Sequence, residues 1–242
     1  MHHAIEYHHF SCHGLQAGNR KRTPVGQLLR ITRGAALLRL GQHGLLLPAG
    51  SCFWLCADAL AAFSPLSGCD YDQLNVSLRV TQPQQAGWLQ ATPLLNALLD
   101  SLALWQRPQE WQGAYGHRLQ VILDELQQCT IQPQDNEALQ QCWQALARGE
   151  AQALVEWQQR GDAPLAGEAL QQQWQLLQAL RLLKGGSKAA QVANKLGYGD
   201  EATLQAACQR WGVVQDQGGA EPYGANELKS WLIESSFLPD GR

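Results

Sequence analysis

Five histidines stand close together at the start of the sequence, in a pattern that could supply ligands to a metal ion. They are His2, His3, His8, His9 and His13, and Cys12 precedes the last of them. Imidazole and thiolate groups are preferred ligands of zinc, but a metal site also needs those ligands in a fixed geometry. The spacing continues into no regular element, so we interpret this segment as a mobile terminus and predict no bound metal.

Three cysteines, Cys52, Cys56 and Cys69, lie close enough in sequence to form a thiol sensor. A redox-active thiol needs a lowered pKa, which a neighbouring cation provides, and the sequence places no cation there. Alternation puts Cys52 and Trp54 on one face of a strand, with Cys56 beyond its end. We predict that these thiols act as small buried apolar groups. The seven cysteines include no Cys-x-x-Cys pair and predict no disulfide framework.

No motif typical of an enzyme occurs in the sequence. It lacks the Gly-x-Ser-x-Gly elbow, the His-Glu-x-x-His zinc motif, the phosphate-binding loop and the Gly-x-Gly-x-x-Gly dinucleotide fingerprint. We therefore predict that the protein is not an enzyme and that it needs no cofactor.

The composition is that of a folded protein with little net charge. The 242 residues are 45% hydrophobic and 16% charged, with a formal net charge of -3, which excludes disorder as the main state and a strongly basic nucleic-acid binder. Glutamine is the main polar residue: the sequence has 32 glutamines but only 18 lysines and arginines together. No apolar run approaches the roughly 20 residues of a membrane span and no secretion signal is present, so we expect a cytoplasmic protein.

The first third of the chain has the pattern of β-strands. Short apolar segments recur every 8 to 12 residues or so between turn signals, the spacing of a sandwich or barrel. The predicted strands are 27–32, 35–40, 44–47, 51–55 and 73–80. A small antiparallel barrel accommodates them most simply.

After Pro83 the apolar residues recur with the 3.6-residue period of α-helices. The predicted helices are 94–105, 115–128, 137–146, 152–159 and 167–183. Thr92 and Pro93 suit the start of the first helix, and Gly185 and Gly186 suit the end of the longest. The order is therefore β first and α afterwards, in two domains joined by helices.

The most informative segment is 187–212. Ser187 can cap a short helix that ends at Leu196, a glycine-containing turn follows, and a second helix is predicted over 201–211. Two short helices joined by such a turn form a helix-turn-helix, in which the second helix can enter the DNA major groove. An ordinary helical hairpin has the same spacing, and spacing alone does not separate the two interpretations.

The same segment resembles the second helix-turn-helix of the AraC/XylS family of transcription regulators. The matching run has the pattern VAxxLGY and consists here of Val192, Ala193, Leu196, Gly197 and Tyr198. The front third resembles the effector-binding cupin-type barrel of one branch of that family. The matching residues there are Gly26, Gln27, Leu28, Leu47, Pro48, Gly50 and Trp54. Together the two resemblances cover most of residues 23–212, in the family's order.

The resemblance implies an α+β fold, with an N-terminal cupin-like β-barrel followed by an all-α helix-turn-helix domain. The implied regions are a barrel for effector binding and dimerisation over 1–82, linker helices over 83–130, a helix-turn-helix region over 131–212 and a C-terminal extension over 213–242. It also implies an effector-responsive regulator that binds double-stranded promoter DNA as a homodimer.

The chain departs from the family pattern in the first of its two DNA-reading units. Residues 154–159 match the first helix of that unit, but only 160–167 separate it from the long linker helix. The reading helix of the first unit is therefore missing. Arginines that are usual in the linker helix correspond here to Gln171 and Gln175.

The second unit also departs from the family pattern. Matching on the Leu-Gly-Tyr turn places the base-reading positions at Glu201, Ala202, Gln205 and Ala206. Alanine cannot make the bidentate guanine contact of an arginine, and Glu201 would face phosphate unfavourably unless it accepts from a cytosine amino group. The predicted DNA-binding residues are Ser187, Lys188, Glu201, Gln205, Gln209 and Arg210.

The predicted barrel has a candidate effector pocket lined by Phe53 or Trp54, although core packing explains aromatic residues equally well. Related barrels often carry histidines where this chain has residues 21–25, which contain none. A metal-dependent cupin enzyme is therefore the least favoured interpretation.

Two functions stay open at this point. The first is an AraC-like regulator that binds DNA through residues 187–212, and the intact VAxxLGY run favours it. The second is a regulator-like protein that has lost DNA binding and acts as a protein-interaction module. The glutamine-rich neutral helix faces and the missing reading helix favour that alternative.

Overall fold

The computed structural model describes residues 4–213. His2 and His3 lie outside this range, as does the predicted C-terminal extension apart from Val213. The strands are β1 (Ile5–Cys12), β2 (Lys21–Arg22), β3 (Gly26–Arg33), β4 (Ala35–Leu40), β5 (His43–Pro48), β6 (Cys52–Leu55), β7 (Leu60–Pro65), β8 (Cys69–Val76), β9 (Gly87–Leu89) and β10 (Ile131–Gln132).

The helices follow the sequence prediction to within about two residues at each end. They are α1 (Pro93–Ala103), α2 (Ala114–Gln128), α3 (Glu137–Ala147), α4 (Ala153–Gln159), α5 (Gly167–Lys184), α6 (Ala189–Lys195) and α7 (Glu201–Arg210). Thr92 caps α1 as predicted, because its Oγ1 accepts a hydrogen bond from the amide of Leu95 at 3.0 Å. Local capping chemistry thus determines where this helix begins.

The strands form two antiparallel sheets. The larger has the order β1-β8-β3-β6-β9-β10 and the smaller the order β2-β7-β4-β5. Their inner faces enclose a core that contains Leu29 and Phe53 from the larger sheet and Leu38 from the smaller. Within the described range the hydrogen bonds close no single ring, so the predicted barrel has the form of a two-sheet sandwich. Alternating apolar residues suit either arrangement, since both bury one face of each strand.

The amino-terminal segment is a strand, and the prediction of a mobile terminus was wrong for its described part. β1 pairs with β8 from Ile5 opposite Val76 to Cys12 opposite Cys69. Alternation is hard to see in this segment because four consecutive positions, His8 to Ser11, are all exposed and include the apolar Phe10. Pairing with β8, which lies 57 to 71 residues away in sequence, orders the strand.

The larger sheet extends beyond residue 82, where the sequence analysis placed the end of the barrel. Trp88 of β9 pairs with Phe53 of β6, and Ile131 of β10 pairs with Leu89. Strands of two or three residues are too short to show a period. The helices α1 and α2, predicted as a linker, connect β9 to β10 in the sequence. They pack on the outer face of the larger sheet.

The helices α3 to α7 share an apolar core with the outer face of the smaller sheet. One apolar cluster joins Leu37 and Leu46 of that sheet to Leu139 of α3 and Leu177 of α5. Gln140 satisfies both backbone groups of Leu46 at this contact: its Oε1 accepts from the amide at 3.0 Å and its Nε2 donates to the carbonyl at 2.7 Å. The β and α parts of the chain therefore share a core.

None of the helices in residues 4–213 has the length and apolar character that crossing a membrane requires.

Candidate nucleic-acid interface

A tight turn over residues 196–200 joins α6 to α7. Gly197 (φ +78°) and Gly199 (φ +82°) adopt the left-handed backbone that favours glycine. Asp200 then caps α7, since its Oδ1 accepts from the amide of Thr203 at 2.7 Å. These local contacts set the direction in which α7 leaves the turn.

Two side chains hold α7 against the rest of the protein. Leu204 and Cys208 are 0% and 2% exposed and belong to the cluster that also contains the buried face of α6. Burial raises the pKa of the Cys208 thiol to about 11, so this cysteine stays protonated at neutral pH and packs as an apolar group.

The opposite face of α7 is open to solvent and carries small, neutral or cationic side chains. Its exposed residues are Ala202, Thr203, Ala206, Gln209 and Arg210. This face bears no large apolar side chain, and a single helix has the width that the DNA major groove admits. Another surface can therefore approach it closely.

The six residues predicted to bind DNA all lie on or beside the α6–α7 pair. Lys188, Gln209 and Arg210 are exposed, whereas Ser187, Glu201 and Gln205 are partly buried. Lys188 occupies the N-cap position of α6, and the guanidinium of Arg210 lies 5.5 Å from the ring centre of Trp211. Exposed cations therefore stand at the start of α6 and at the end of α7.

The charge of this pair is mixed. Its cations are Lys188, Lys195 and Arg210. Asp200 and Glu201 place two carboxylates at the first turn of α7, where the helix dipole stabilises negative charge. Hydrogen bonds from Thr203 lower the pKa of Asp200, so that carboxylate is ionised at neutral pH. This end of α7 repels phosphate, and a nucleic acid would lie nearer the cations.

A short loop joins α4 to α5. No helix occupies residues 160–166, between α4 and α5. Arg160 and Asp162 form two hydrogen bonds of 2.8 Å in this loop, and the Asn136 amide donates to the same carboxylate at 3.0 Å. The loop is thus held by its own polar contacts, in the segment where the resemblance led us to expect a missing reading helix.

A backbone hydrogen bond joins the end of α7 to the β part of the chain. The amide of Leu15 donates to the carbonyl of Trp211 at 2.8 Å. A Cβ atom on Gly14 would lie 1.7 Å from the carbonyl oxygen of Gly212, so only glycine allows this approach. Sequence analysis missed Gly14, because the group that requires a glycine there lies far along the chain.

The two predicted effector-binding residues lie on opposite faces of β6 and cannot line one pocket. Phe53 lies between the sheets, 5.3 Å from Trp88 between ring centres. Trp54 faces α1 and α2, and its Nε1 donates to the carbonyl of Pro83 at 2.9 Å. Both are at most 1% exposed, so both serve as packing residues.

A cavity of about 200 Å³ opens between the two sheets beside β2 and β7. Leu29, Leu55 and Phe63 form its apolar wall, and Gln27 and Gln73 contribute amides. This cavity, which neither Phe53 nor Trp54 lines, is a space between the sheets with room for a small molecule.

No protein-family model matches the sequence, and no curated protein matches it. Among solved structures, the chain is similar to ToxT from Vibrio cholerae at 10% identity and a TM-score of 0.35, over 86% of this chain and 93% of that one. A ToxT structure with a bound unsaturated fatty acid matches at 11% identity and a TM-score of 0.34, over 86% and 90% of the two chains. A cupin superfamily protein from Desulfitobacterium hafniense matches at 13% identity and a TM-score of 0.30, over 32% and 71%.

The other groups considered for chemistry do not converge. His8 and His9 are neighbours on a strand and so point to opposite faces, and residues 4–213 contain no group of three His, Cys, Asp or Glu residues that could hold a metal ion. Cys52 and Cys69 are buried, and burial raises the pKa of each thiol to about 12. Neither thiol is ionised at neutral pH.

Sequence analysis also missed a buried charged cluster beneath α1. Arg30 of β3 lies beside Asp72 of β8, with a shortest distance of 2.6 Å between guanidinium and carboxylate. The Tyr7 hydroxyl donates to Asp72 at 2.6 Å, and Arg30 also reaches Asp100 of α1 at 2.7 Å. The one available signal was an arginine in the middle of an apolar strand. This cluster fastens α1 to the larger sheet.

Proposed function

We propose that this protein is an AraC-like transcriptional regulator in which the α6–α7 pair binds double-stranded DNA. The observation that carries the proposal is the open face of α7, which is free of large apolar side chains while Leu204 and Cys208 bury the other face. In this arrangement α7 enters the major groove. Gln205 and Gln209 then meet base edges or phosphates.

The cations of the pair supply the sequence-independent part of the affinity. Lys188 and Arg210 neutralise phosphates, with Ser187 as a neutral donor beside them. The logarithm of affinity falls with the logarithm of salt by about 0.9 per phosphate contact, and three cations are too few for tight binding by one copy. We therefore propose that a homodimer binds two half-sites separated by about one helical turn or a multiple of it.

The β sandwich is the proposed sensing and dimerisation part. Its inter-sheet cavity has the mixed apolar and amide lining of a small-molecule site, which supports a response to an effector. We further propose that the protein works in the cytoplasm and catalyses no reaction.

A specific observation favours a second function. The loop over 160–166 replaces one reading helix, and Glu201 places a carboxylate on the remaining one. A regulator-like chain that pairs with another protein through its neutral helix faces is consistent with both features.

Selection from a pool of randomised DNA duplexes, followed by titration of the recovered duplex, tests the two functions. Binding measured by fluorescence anisotropy at two salt concentrations is expected to weaken with salt. Lys188→Ala and Arg210→Ala are each expected to lower the salt slope by about 0.9.

Arg107→Ala is the matched control, because Arg107 is an exposed residue between α1 and α2, away from the α6–α7 pair. It should leave the slope unchanged. If no duplex is retained even at low salt, the DNA-binding proposal fails and the interaction module is left.

A further inference from the structure

A second cavity, a groove of about 470 Å³, separates the β4–β5 hairpin from α3 and α5. Leu37 and Leu45 form its wall on the hairpin side. Trp143 and Ala147 of α3 and Trp174 of α5 form the other wall. The groove is thus apolar and aromatic on both sides, and lies where the smaller sheet meets the helices.

Three arginines line the same groove. They come from different elements: Arg39 from β4, Arg148 from the end of α3 and Arg181 from α5. Arg148 has a partner, since its Nε lies 2.7 Å from a carboxylate oxygen of Glu150. Within residues 4–213, neither Arg39 nor Arg181 has a carboxylate at ion-pair distance, and the lining includes no Asp or Glu.

The guanidinium groups of Arg39 and Arg181 repel each other in this groove. Arg181 is partly buried, with its guanidinium 5.4 Å from the ring centre of Trp174. Burial, together with the charge of Arg39, lowers the pKa of Arg181. Partly buried charges in proteins are normally paired, and an anion between these two residues would supply the missing partner.

A buried amide adds a third donor. Gln178 precedes Arg181 by three residues on α5, so both side chains lie on the same helix face. Its Nε2 atom is buried and has no hydrogen-bond acceptor among the described residues. Buried polar groups are satisfied in most proteins, so this donor, like the two guanidiniums, lacks the partner it would normally have among residues 4–213.

We propose that this groove binds an organic oxyanion, a carboxylate or phosphate attached to a planar apolar group. Arg39, Arg181 and Gln178 hold the oxyanion, because guanidinium groups suit carboxylate and phosphate oxygens in shape and charge. Trp143 and Trp174 contact the apolar part. The site is separate from the inter-sheet cavity, and ligand binding there does not require DNA.

Calorimetric titration of the full chain, without DNA, tests the proposal with three probes of similar shape. Phenylacetate is expected to bind at least about tenfold more tightly than its neutral counterpart phenylacetamide, a difference of about 1.4 kcal/mol. Phenyl phosphate is the third probe. If it binds more tightly than phenylacetate, the site takes phosphates, and the reverse order assigns it to carboxylates.

Arg39→Gln and Arg181→Gln are each expected to weaken binding of the preferred anion at least about tenfold. Arg107→Gln, which removes an exposed arginine outside the groove, should leave the affinity unchanged. Loss of the Trp174 contact could unfold the Arg181→Gln variant, which circular dichroism would reveal. In that case Arg39→Gln alone tests the proposal. Equal affinities for acid and amide, no binding of either anion, or normal affinity in Arg39→Gln would each overturn the proposal, whatever the outcome with DNA.

Discussion

Two arginine sites, one on each sheet, differ in how completely their polar groups are partnered. Under α1, Arg30 meets the carboxylates of Asp72 and Asp100 at 2.6 and 2.7 Å. In the groove between the β4–β5 hairpin and the helices, Arg39 and Arg181 meet each other's charge and have no carboxylate partner within residues 4–213. The chain itself supplies the anionic partners at the first site, whereas the proposed oxyanion ligand supplies them at the second.

Glutamines at the contact of the smaller sheet with the helices show the same contrast. Gln140 exchanges two hydrogen bonds with the backbone of Leu46, while the Nε2 of Gln178 has no acceptor in the described part of the chain. A buried polar group that is fully bonded within the chain stabilises the fold. One that is left unbonded costs stability until something binds it. This distinction predicts the sign of four substitutions.

Asp72→Asn is expected to have the largest effect, a loss of about 3 kcal/mol in the free energy of unfolding. It removes the buried negative charge while the Arg30 charge stays. Urea denaturation measures the loss. Asp100→Asn is the control and should cost less, because Asp100 is 67% exposed. Equal effects of the two substitutions would contradict a central role for Asp72.

Gln140→Ala is expected to cost about 2 kcal/mol, because it leaves the buried amide and carbonyl of Leu46 without partners. Gln141→Ala, on the exposed neighbouring position, should change the stability by less than about 0.5 kcal/mol. Denaturation of both variants in parallel measures the difference. A loss at Gln140 no larger than at Gln141 would mean that water replaces the bonds.

Gln178→Leu is expected to raise the free energy of unfolding by about 1 kcal/mol, since it removes an unbonded buried donor and adds apolar contact with the groove. The same variant should bind phenylacetate more weakly. A variant that is less stable than the unsubstituted chain would show that the amide is already satisfied.

Arg39→Gln is expected to have the smallest effect on stability without ligand, within about 0.5 kcal/mol of zero. Among residues 4–213 the Arg39 guanidinium has no carboxylate partner to lose, and its removal relieves repulsion with Arg181. Thermal unfolding with and without phenylacetate measures the change. At the same concentration the ligand should raise the melting temperature of the unsubstituted chain more than that of the variant.

The helices were predictable because their signals are local. The Thr92 cap, Pro93 and the glycines after α5 mark ends that depend on a few neighbouring residues. The glycine turn between α6 and α7 is equally local, so the exposed and buried positions of α7 followed from its period. β1 and the pair β9 and β10 were missed, because their order depends on partners far along the chain.

The candidate sites divide in the same way. Lys188 and Arg210 lie exposed where the helical pattern placed them. The roles of Phe53 and Trp54 could not be predicted without knowing what covers each face of the larger sheet. Trp54 faces the helices, and Phe53 faces the smaller sheet. The arginine groove combines β4, α3 and α5, and no sequence pattern predicts that these three elements meet.

The backbone contact of Gly14 with Gly212 and the bond from Leu15 to Trp211 leave no flexible joint between α7 and the sandwich. If the proposed homodimer forms, the distance between its two α7 helices would be set by how the sandwiches pair, not by a tether. The α6–α7 pair grafted alone onto another protein would lose this fixed orientation, so under the proposed function the spacing between DNA half-sites depends on the whole folded chain.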